Sequence, residues 1–315
     1  MRDNLLPEKI VVCVCTYRRP VLLASCLASL GNLKQPPGME VEIIVVDNEL
    51  FPVHRMAVHS ARETSRYAVI YVHEPVKGIA RARNAALDAA KTAGADWIAF
   101  IDDDERADEN WLLGLMADQY RNVPILAGWQ HMVYPRPRPF WCLERNRPPV
   151  EGVKRQAVTT SNVRFSTTLL EAGLRFNEDL GDMGGEDTEF FTAARLAGFE
   201  IRQTARAVTL EAVHAERMTY LGQVYRAYWA AAARTRCLAL EFSWRHVLLF
   251  KSWTAPLSIL LGVAEILISP LLLPIDLHQF KKRCLGGGKK IARGAGRAAA
   301  IAGIMPRPYR RIHGE

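Results

Sequence analysis

Through the first hundred residues, unbroken apolar runs alternate with stretches whose apolar residues recur every three or four positions. Residues 10–15 (IVVCVC), 41–46 (VEIIVV) and 97–101 (WIAFI) are apolar runs of strand length, and 69–72 is a shorter one. Between them, 20–30 carries Leu22, Leu23, Cys26, Leu27 and Leu30 at helical spacing, and 79–93 (IARARNAALDAAKTA) reads as a helix ending at Gly94. This order predicts an α/β fold with a parallel sheet, whose ligand site lies beyond the carboxyl ends of its strands. The polar residues that end the strands are therefore expected in one cleft: Thr16 and Tyr17, Asp47 and Asn48, and Asp102, Asp103 and Asp104.

The second half is patterned less regularly. The stretch 134–149 (YPRPRPFWCLERNRPP) is a loop, because proline fixes φ and removes backbone donors. A strand over 158–165 and a helix beginning near Asp187, entered through GDMGGED, follow it. Beyond about Thr219 come a helical segment, an apolar run over 255–275 and a basic tail, and no internal repeat is visible. The organisation expected is a body over 1–219, a helical region over 220–275 and a tail over 276–315.

Charge sharpens that division. The chain of 315 residues carries +8, and from Asp276 onward there are ten Lys/Arg against Asp276 and Glu315, so the whole surplus sits at this end. The apolar run is long enough to cross a hydrocarbon core of ~30 Å. Glu265 lies at its centre, however, and Pro256, Pro270 and Pro274 interrupt it. The positive-inside rule would also keep the basic tail on the side of the body. A re-entrant or interfacial anchor, with the tail drawn to anionic membrane lipid, is the expectation. The tail lacks the interleaved aromatics of a nucleic-acid site. The opening MRDNLLPEKI has no apolar core of signal-peptide length, which points to the cytoplasm. Six cysteines without paired spacing suit a reducing compartment, and Cys13 and Cys15 read as small core residues on one strand face.

The strongest chemical signal is WIAFIDDDE, where a buried strand delivers three adjacent carboxylates. Such carboxylates repel one another and are best tolerated around a cation; Mg²⁺ or Mn²⁺ suits oxygen ligands, with a diphosphate completing the shell. An acidic loop is the plain alternative. Asp47 could accept hydrogen bonds from a nucleobase or simply form a turn. Arg83 could balance anionic charge or be solvated. In GGEDTEF, Glu186 and Asp187 sit where a turn enters a helix, which the helix dipole favours in any case; the functional reading is that Asp187 is a general base. His214, in EAVHAERMT, could complete a metal shell or be structural.

In this order and spacing these segments resemble family 2 glycosyltransferases of the GT-A fold, over roughly residues 10–219. VVCVCTYRRP resembles the family's opening strand and nucleotide-contacting turn, which implies donor contacts at Thr16, Tyr17 and Arg19. IIVVDN is similar to its uracil-contacting segment, with Asp47, and GIARARNAAL, with Arg83, to the helix that follows. WIAFIDDDE looks like the DXD element, implying Asp102 and Asp104 as metal carboxylates beside Asp103. The stretch from TTSNVRF to GGEDTEF is similar to the acceptor side, implying Asn162 and Glu186 near the acceptor and Asp187 as the base. The resemblance implies a Rossmann-like mixed sheet flanked by helices. It also implies an inverting, metal-dependent transfer of one sugar from a nucleotide-diphosphate donor, UDP-linked by preference, to a saccharide or lipid-linked saccharide. Processive members carry QxxRW; here Gln223 and Arg226 are followed by Ala227, so a single transfer is expected. The form CTYRRP is also similar to bacterial exopolysaccharide glucosyltransferases, which would place the chain on the cytoplasmic face of the inner membrane.

Rival readings fit less well. A haloacid-dehalogenase-type phosphatase requires a small Thr or Val after its Asp-x-Asp, whereas Glu105 and Arg106 follow here. A sugar-nucleotide pyrophosphorylase requires a glycine-rich loop after the first strand, and TYRRP has no glycine. A catalytically idle scaffold in a membrane assembly is opposed by intact Asp102, Asp104 and Asp187.

Overall fold

A computed structural model describes residues 7–143 and 146–304. The first half contains β1 (Glu8–Thr16), α1 (Pro20–Gly31), β2 (Met39–Asp47), α2 (Arg55–Thr64), β3 (Ala68–His73), α3 (Ile79–Thr92) and β4 (Trp97–Asp102). Next come β5 (Glu105–Ala107), α4 (Trp111–Leu115), β6 (Ile125–Val133), β7 (Val153–Lys154), β8 (Asn162–Ser166) and α5 (Thr168–Glu171). The chain continues with α6 (Glu186–Leu196), β9 (Ile201–Ala212), α7 (Ala215–Met218), α8 (Tyr220–Phe242), α9 (Trp244–Phe250), α10 (Thr254–Ile268) and α11 (Leu277–Ile301). All strands join one mixed sheet in the order β3-β2-β1-β4-β8-β6-β9-β5, with β7 paired to β9.

The half built from β1 to β4 is parallel, as the β-α-β pattern predicts, and β8 adds to β4 antiparallel. Each face of the sheet is covered. Ile10, Val12 and Val14 of β1 pack with α1, α2 and α4, whereas Val11 and Cys13 pack with α3 and the aromatic group Phe100, Phe165, Phe176 and Phe190. A strand buried on both sides reads as a continuous apolar run, which explains IVVCVC. Parallel register aligns the strand ends: Cys15 is level with Asp102, and Thr16 with Asp47.

Arg164 of β8 is fully buried at the antiparallel junction. Its guanidinium donates to the carbonyls of Leu115 (3.0 Å), Val123 (2.6 Å) and Tyr120 (2.6 Å), and it lies 4.0 Å from the centre of the Trp97 ring. It ties the turn before β6 to the sheet.

The C-terminal part is a packed group of helices. The basic segment expected as a tail is helical over Leu277–Ile301 and lies against both α8 and α10. Its glycines make that approach possible. A Cβ on Gly287 would meet the Gly262 carbonyl oxygen at 2.6 Å, and one on Gly296 would meet the Tyr228 carbonyl oxygen at 2.1 Å. Glu265, the charge at the centre of the apolar run, pairs with Lys290 of α11. The prolines interrupt less than expected: Pro256 occupies the first turn of α10, where its missing N–H has no partner to lose, and Pro270 opens a 3-10 turn over Ser269–Leu272. Thr254–Leu272 is long and apolar enough to cross a membrane by length and composition. Leu260, Leu267 and Leu271 are each more than two-thirds exposed along it, as is Ile275 just beyond it.

Candidate active site

The carboxyl ends of β1 and β4 and the start of α3 enclose a cavity lined by Thr16, Tyr17, Arg19, Arg83 and Asp102 to Asp104. A second, larger cavity adjoins it, lined by Arg83, Asp102 and Asp104 together with Glu186, Asp187, Glu211, Arg217 and residues of α8. Its volume of about 610 Å³ falls within the ~300–1,000 Å³ of small-molecule sites. Asp102, Asp104, Arg83 and Arg217 line both, so one cleft has two compartments that meet at charged residues.

The three adjacent carboxylates have different tasks. Asp103 is buried and clamped, accepting from the Thr16 hydroxyl at 2.8 Å and from Arg19 at 3.0 Å. Arg19 also reaches Asp104 at 3.1 Å. Asp102 is pushed up to about 7, by burial and then by the charge of Asp104, while Arg83 pulls the other way. Among the described residues there is no group of three or more His, Cys, Asp or Glu arranged to hold a metal. The donors nevertheless fit a hard cation shared with a ligand, because Asp102 and Asp104 offer carboxylate oxygens at a point of excess negative charge that a cation would relieve.

Arg83 links the compartments. It lies in α3, buried, and pairs with the buried Glu186 at the start of α6. Asn84 fixes the same helix by donating to the Phe176 carbonyl and accepting from the Phe176 N–H, each at 3.0 Å. Helix α6 starts after Gly184 and Gly185, both at positive φ (74° and 94°), and a Cβ on Gly185 would meet Ala233 of α8 at 3.1 Å. The glycine pair thus permits both the turn and the contact with α8. Asp187 is half-buried in the first turn of α6; its two hydrogen bonds, from the Thr188 N–H (2.6 Å) and hydroxyl (3.3 Å), both fall on Oδ1. Burial and then the neighbouring Glu186 charge push its carboxyl up to about 6, against Arg83.

Three residues expected at the site lie elsewhere. Asp47 is fully buried and spent on its own loop, accepting from His54 Nδ1 (2.8 Å), the His54 N–H (3.0 Å), the Glu49 N–H (3.2 Å) and the Tyr71 hydroxyl (2.8 Å). Its neighbour Asn48 lines the first cavity instead. Asn162 accepts from the Trp111 indole at 2.8 Å and donates to the Ala207 carbonyl at 3.0 Å, and it lines neither compartment. His214 is exposed before α7. The same segment supplies Glu211 and Arg217, which pair with each other and line the larger cavity, and neither is among the residues expected there from the sequence. Cys15, expected as core, is half-buried and lines the first cavity, with burial pushing its thiol up to about 12.

Residues 11–175 match the family described as glycosyl transferase family 2. The chain is also 33% identical over 234 residues to the succinoglycan biosynthesis protein ExoM of Rhizobium meliloti (strain 1021), covering 72% of this chain and 74% of that protein. This chain belongs to glycosyl transferase family 2. It is a glycosyltransferase, and its fold is GT-A. Among solved structures, the mannosyltransferase PcManGT from Pyrobaculum calidifontis, in complex with GDP-Man and Mn²⁺, superposes with a TM-score of 0.62 at 18% identity, covering 94% of this chain and 90% of that one. S. aureus TarS 1-349 in complex with UDP gives a TM-score of 0.51 at 19% identity, covering 98% and 95%. These two likenesses concern the fold of the transferase. The family match ends at residue 175, before Glu186, Asp187, Glu211 and Arg217, so the larger compartment lies mostly outside it.

Proposed function

We propose that the transferase moves a single sugar, with inversion, from a nucleotide-diphosphate donor to a saccharide or lipid-linked saccharide acceptor in bacterial polysaccharide synthesis. The observation that carries this reading is the two-compartment cleft, in which Asp102 and Asp104 lie on the shared wall and Asp187 lines only the larger side. The donor belongs in the first compartment, against Thr16, Tyr17, Arg19 and Arg83. The acceptor belongs in the second, where Asp187 takes the proton from its attacking hydroxyl. Glu186 acts through Arg83, holding that cation beside the donor. Asp102 and Asp104 would hold Mg²⁺ or Mn²⁺ against the diphosphate, where a divalent ion supplies charge stabilisation to the leaving group. The Mn²⁺ in PcManGT and the nucleotides bound to that protein and to TarS are consistent with this arrangement. Polysaccharide synthesis is suggested by the part of ExoM in succinoglycan biosynthesis.

The assignment of the metal predicts a specific dependence. Asp104→Ala should weaken UDP binding, measured by calorimetry, in the presence of Mn²⁺ and leave the weaker binding in EDTA nearly unchanged. Equal losses in both conditions would make Asp104 a structural partner of Arg19.

The exposed apolar side of α10 supports a location on the cytoplasmic face of the inner membrane, since soluble surfaces rarely carry so extended an apolar stripe. Trp253 at the start of α10 and the cations of α11 suit an interfacial, monotopic anchor in anionic lipid. Leu260→Glu with Leu267→Glu should move the protein from vesicle-bound to soluble in flotation with phosphatidylglycerol vesicles, while its circular dichroism stays unchanged. Flotation equal to wild type would remove α10 as the anchor.

A further inference from the structure

A third cavity, of about 240 Å³, is bounded by β6, the segment before β8, the start of α6 and β9. It shares Gln130, Thr159, Ser161 and Thr188 with the larger compartment and no residue with the donor side. Thr188 puts the junction next to the base, since its hydroxyl donates to Asp187 at 3.3 Å. Asn162, expected beside the acceptor, lines this cavity as a fixed wall, with its amide spent on Trp111, the Ala207 carbonyl and the Thr209 hydroxyl.

The lining is rich in neutral hydrogen-bonding groups. Gln203 gives its amide N–H to the Gly128 carbonyl at 3.0 Å, and Gln130 gives its own to the buried Glu105, so each keeps its Oε1 as an acceptor. The hydroxyls of Thr159 and Ser161 bond each other at 2.8 Å and can each make further hydrogen bonds. Arg155, which is exposed, is the one charged side chain among the described lining residues.

We infer that this cavity holds the second sugar of the acceptor, so that the acceptor is at least a disaccharide whose terminal residue lies against Asp187.

The assignment rests on the glycosyl-transfer reading above and deepens it. At ~30 Å³ per water the cavity has room for roughly eight waters, the bulk of one sugar ring. A sugar hydroxyl both donates and accepts, which suits paired amide oxygens, two hydroxyls and a guanidinium. A phosphate would call for several cations and a metal for carboxylates, and the described lining offers one cation and no Asp or Glu. The order of the compartments also fits: the donor lies against Asp102 and Asp104, the attacking sugar against Asp187, and the next sugar beyond Thr188.

The probes are the methyl β-glycosides of glucose, galactose and N-acetylglucosamine, each beside the β-1,4-linked disaccharide that ends in the same sugar: methyl cellobioside, lactoside and chitobioside. Each is titrated by saturation-transfer NMR into the full chain in detergent, with UDP and Mn²⁺ at saturation. At least one disaccharide should bind about tenfold or more tightly than its own monosaccharide, the worth of two or so hydrogen bonds. Arg155→Ala with Gln203→Ala should remove most of that advantage while UDP affinity and melting temperature stay unchanged, since neither residue lines the donor compartment. Ala157→Phe, which fills the cavity without removing a polar group, should do the same. Equal binding within every pair, or an advantage that survives both variants, would overturn the assignment. UDP affinity is read in the same samples, so a protein that binds sugars in this way but not UDP would instead mark failure of the donor reading.

Discussion

Asp187→Asn is expected to leave UDP binding nearly unchanged and to cut turnover by about 10²–10⁴-fold, the usual worth of a general base. The substitution preserves size and polarity at the start of α6, so the helix and its glycine turn should persist. What disappears is the only proton acceptor that Asp187 offers the second compartment. The pH profile gives an independent readout. With its carboxyl pushed up to about 6 by burial and Glu186, Asp187 is active as a base only when ionised. The wild-type rate should therefore fall as pH drops through about 6, and that acid limb should vanish from the residual activity of the variant. Turnover within a fewfold of wild type, or an acid limb that survives, would take Asp187 out of the mechanism.

The largest effect on stability is expected at Arg164, far from any reacting atom. Arg164→Met keeps much of the volume and the contact with Trp97 but strips the guanidinium from the carbonyls of Leu115, Tyr120 and Val123, of which Tyr120 keeps the Val123 N–H at 2.9 Å. Each buried carbonyl left unpaired costs about 1–3 kcal/mol, so with two of them a loss of roughly 2 kcal/mol or more in unfolding free energy is expected. Urea denaturation of wild type and variant would measure it. A loss below about 1 kcal/mol would mean that those carbonyls find other partners and that the guanidinium is not what closes this junction.

How much of this was legible in the sequence follows from what each strand buries. The ends of β1, β2 and β4 are legible within a residue or two because both faces of these strands pack against helices, leaving apolar runs bounded by polar residues. Strand β9 was missed for the opposite reason. Its buried positions include Thr204, Thr209 and Glu211, so no apolar alternation marks it. With β9 unmarked, Glu211 and Arg217 have no place in the sequence pattern, and His214 stands out as the one histidine of its segment. Asp47 carries the right residue type at the right strand end, yet its carboxylate is consumed by His54 and Tyr71, partners that come together only in the fold. Helix α11 is expected only as a tail because charge, not apolar periodicity, marks the segment, and its glycines disfavour a helix in isolation. In the folded chain they are where three helices come close enough that a side chain would not fit.

The central claim is that Asp102 and Asp104 bring a divalent metal to a nucleotide-linked sugar. Release of nucleoside diphosphate from a panel of UDP- and GDP-sugars, followed with the full chain, a lipid-linked saccharide acceptor and either Mn²⁺ or EDTA, tests it most directly. Release from at least one donor in Mn²⁺, lost in EDTA and restored by adding metal back, is the predicted result. Release that proceeds equally in EDTA, or failure of every donor to bind in Mn²⁺, would contradict it.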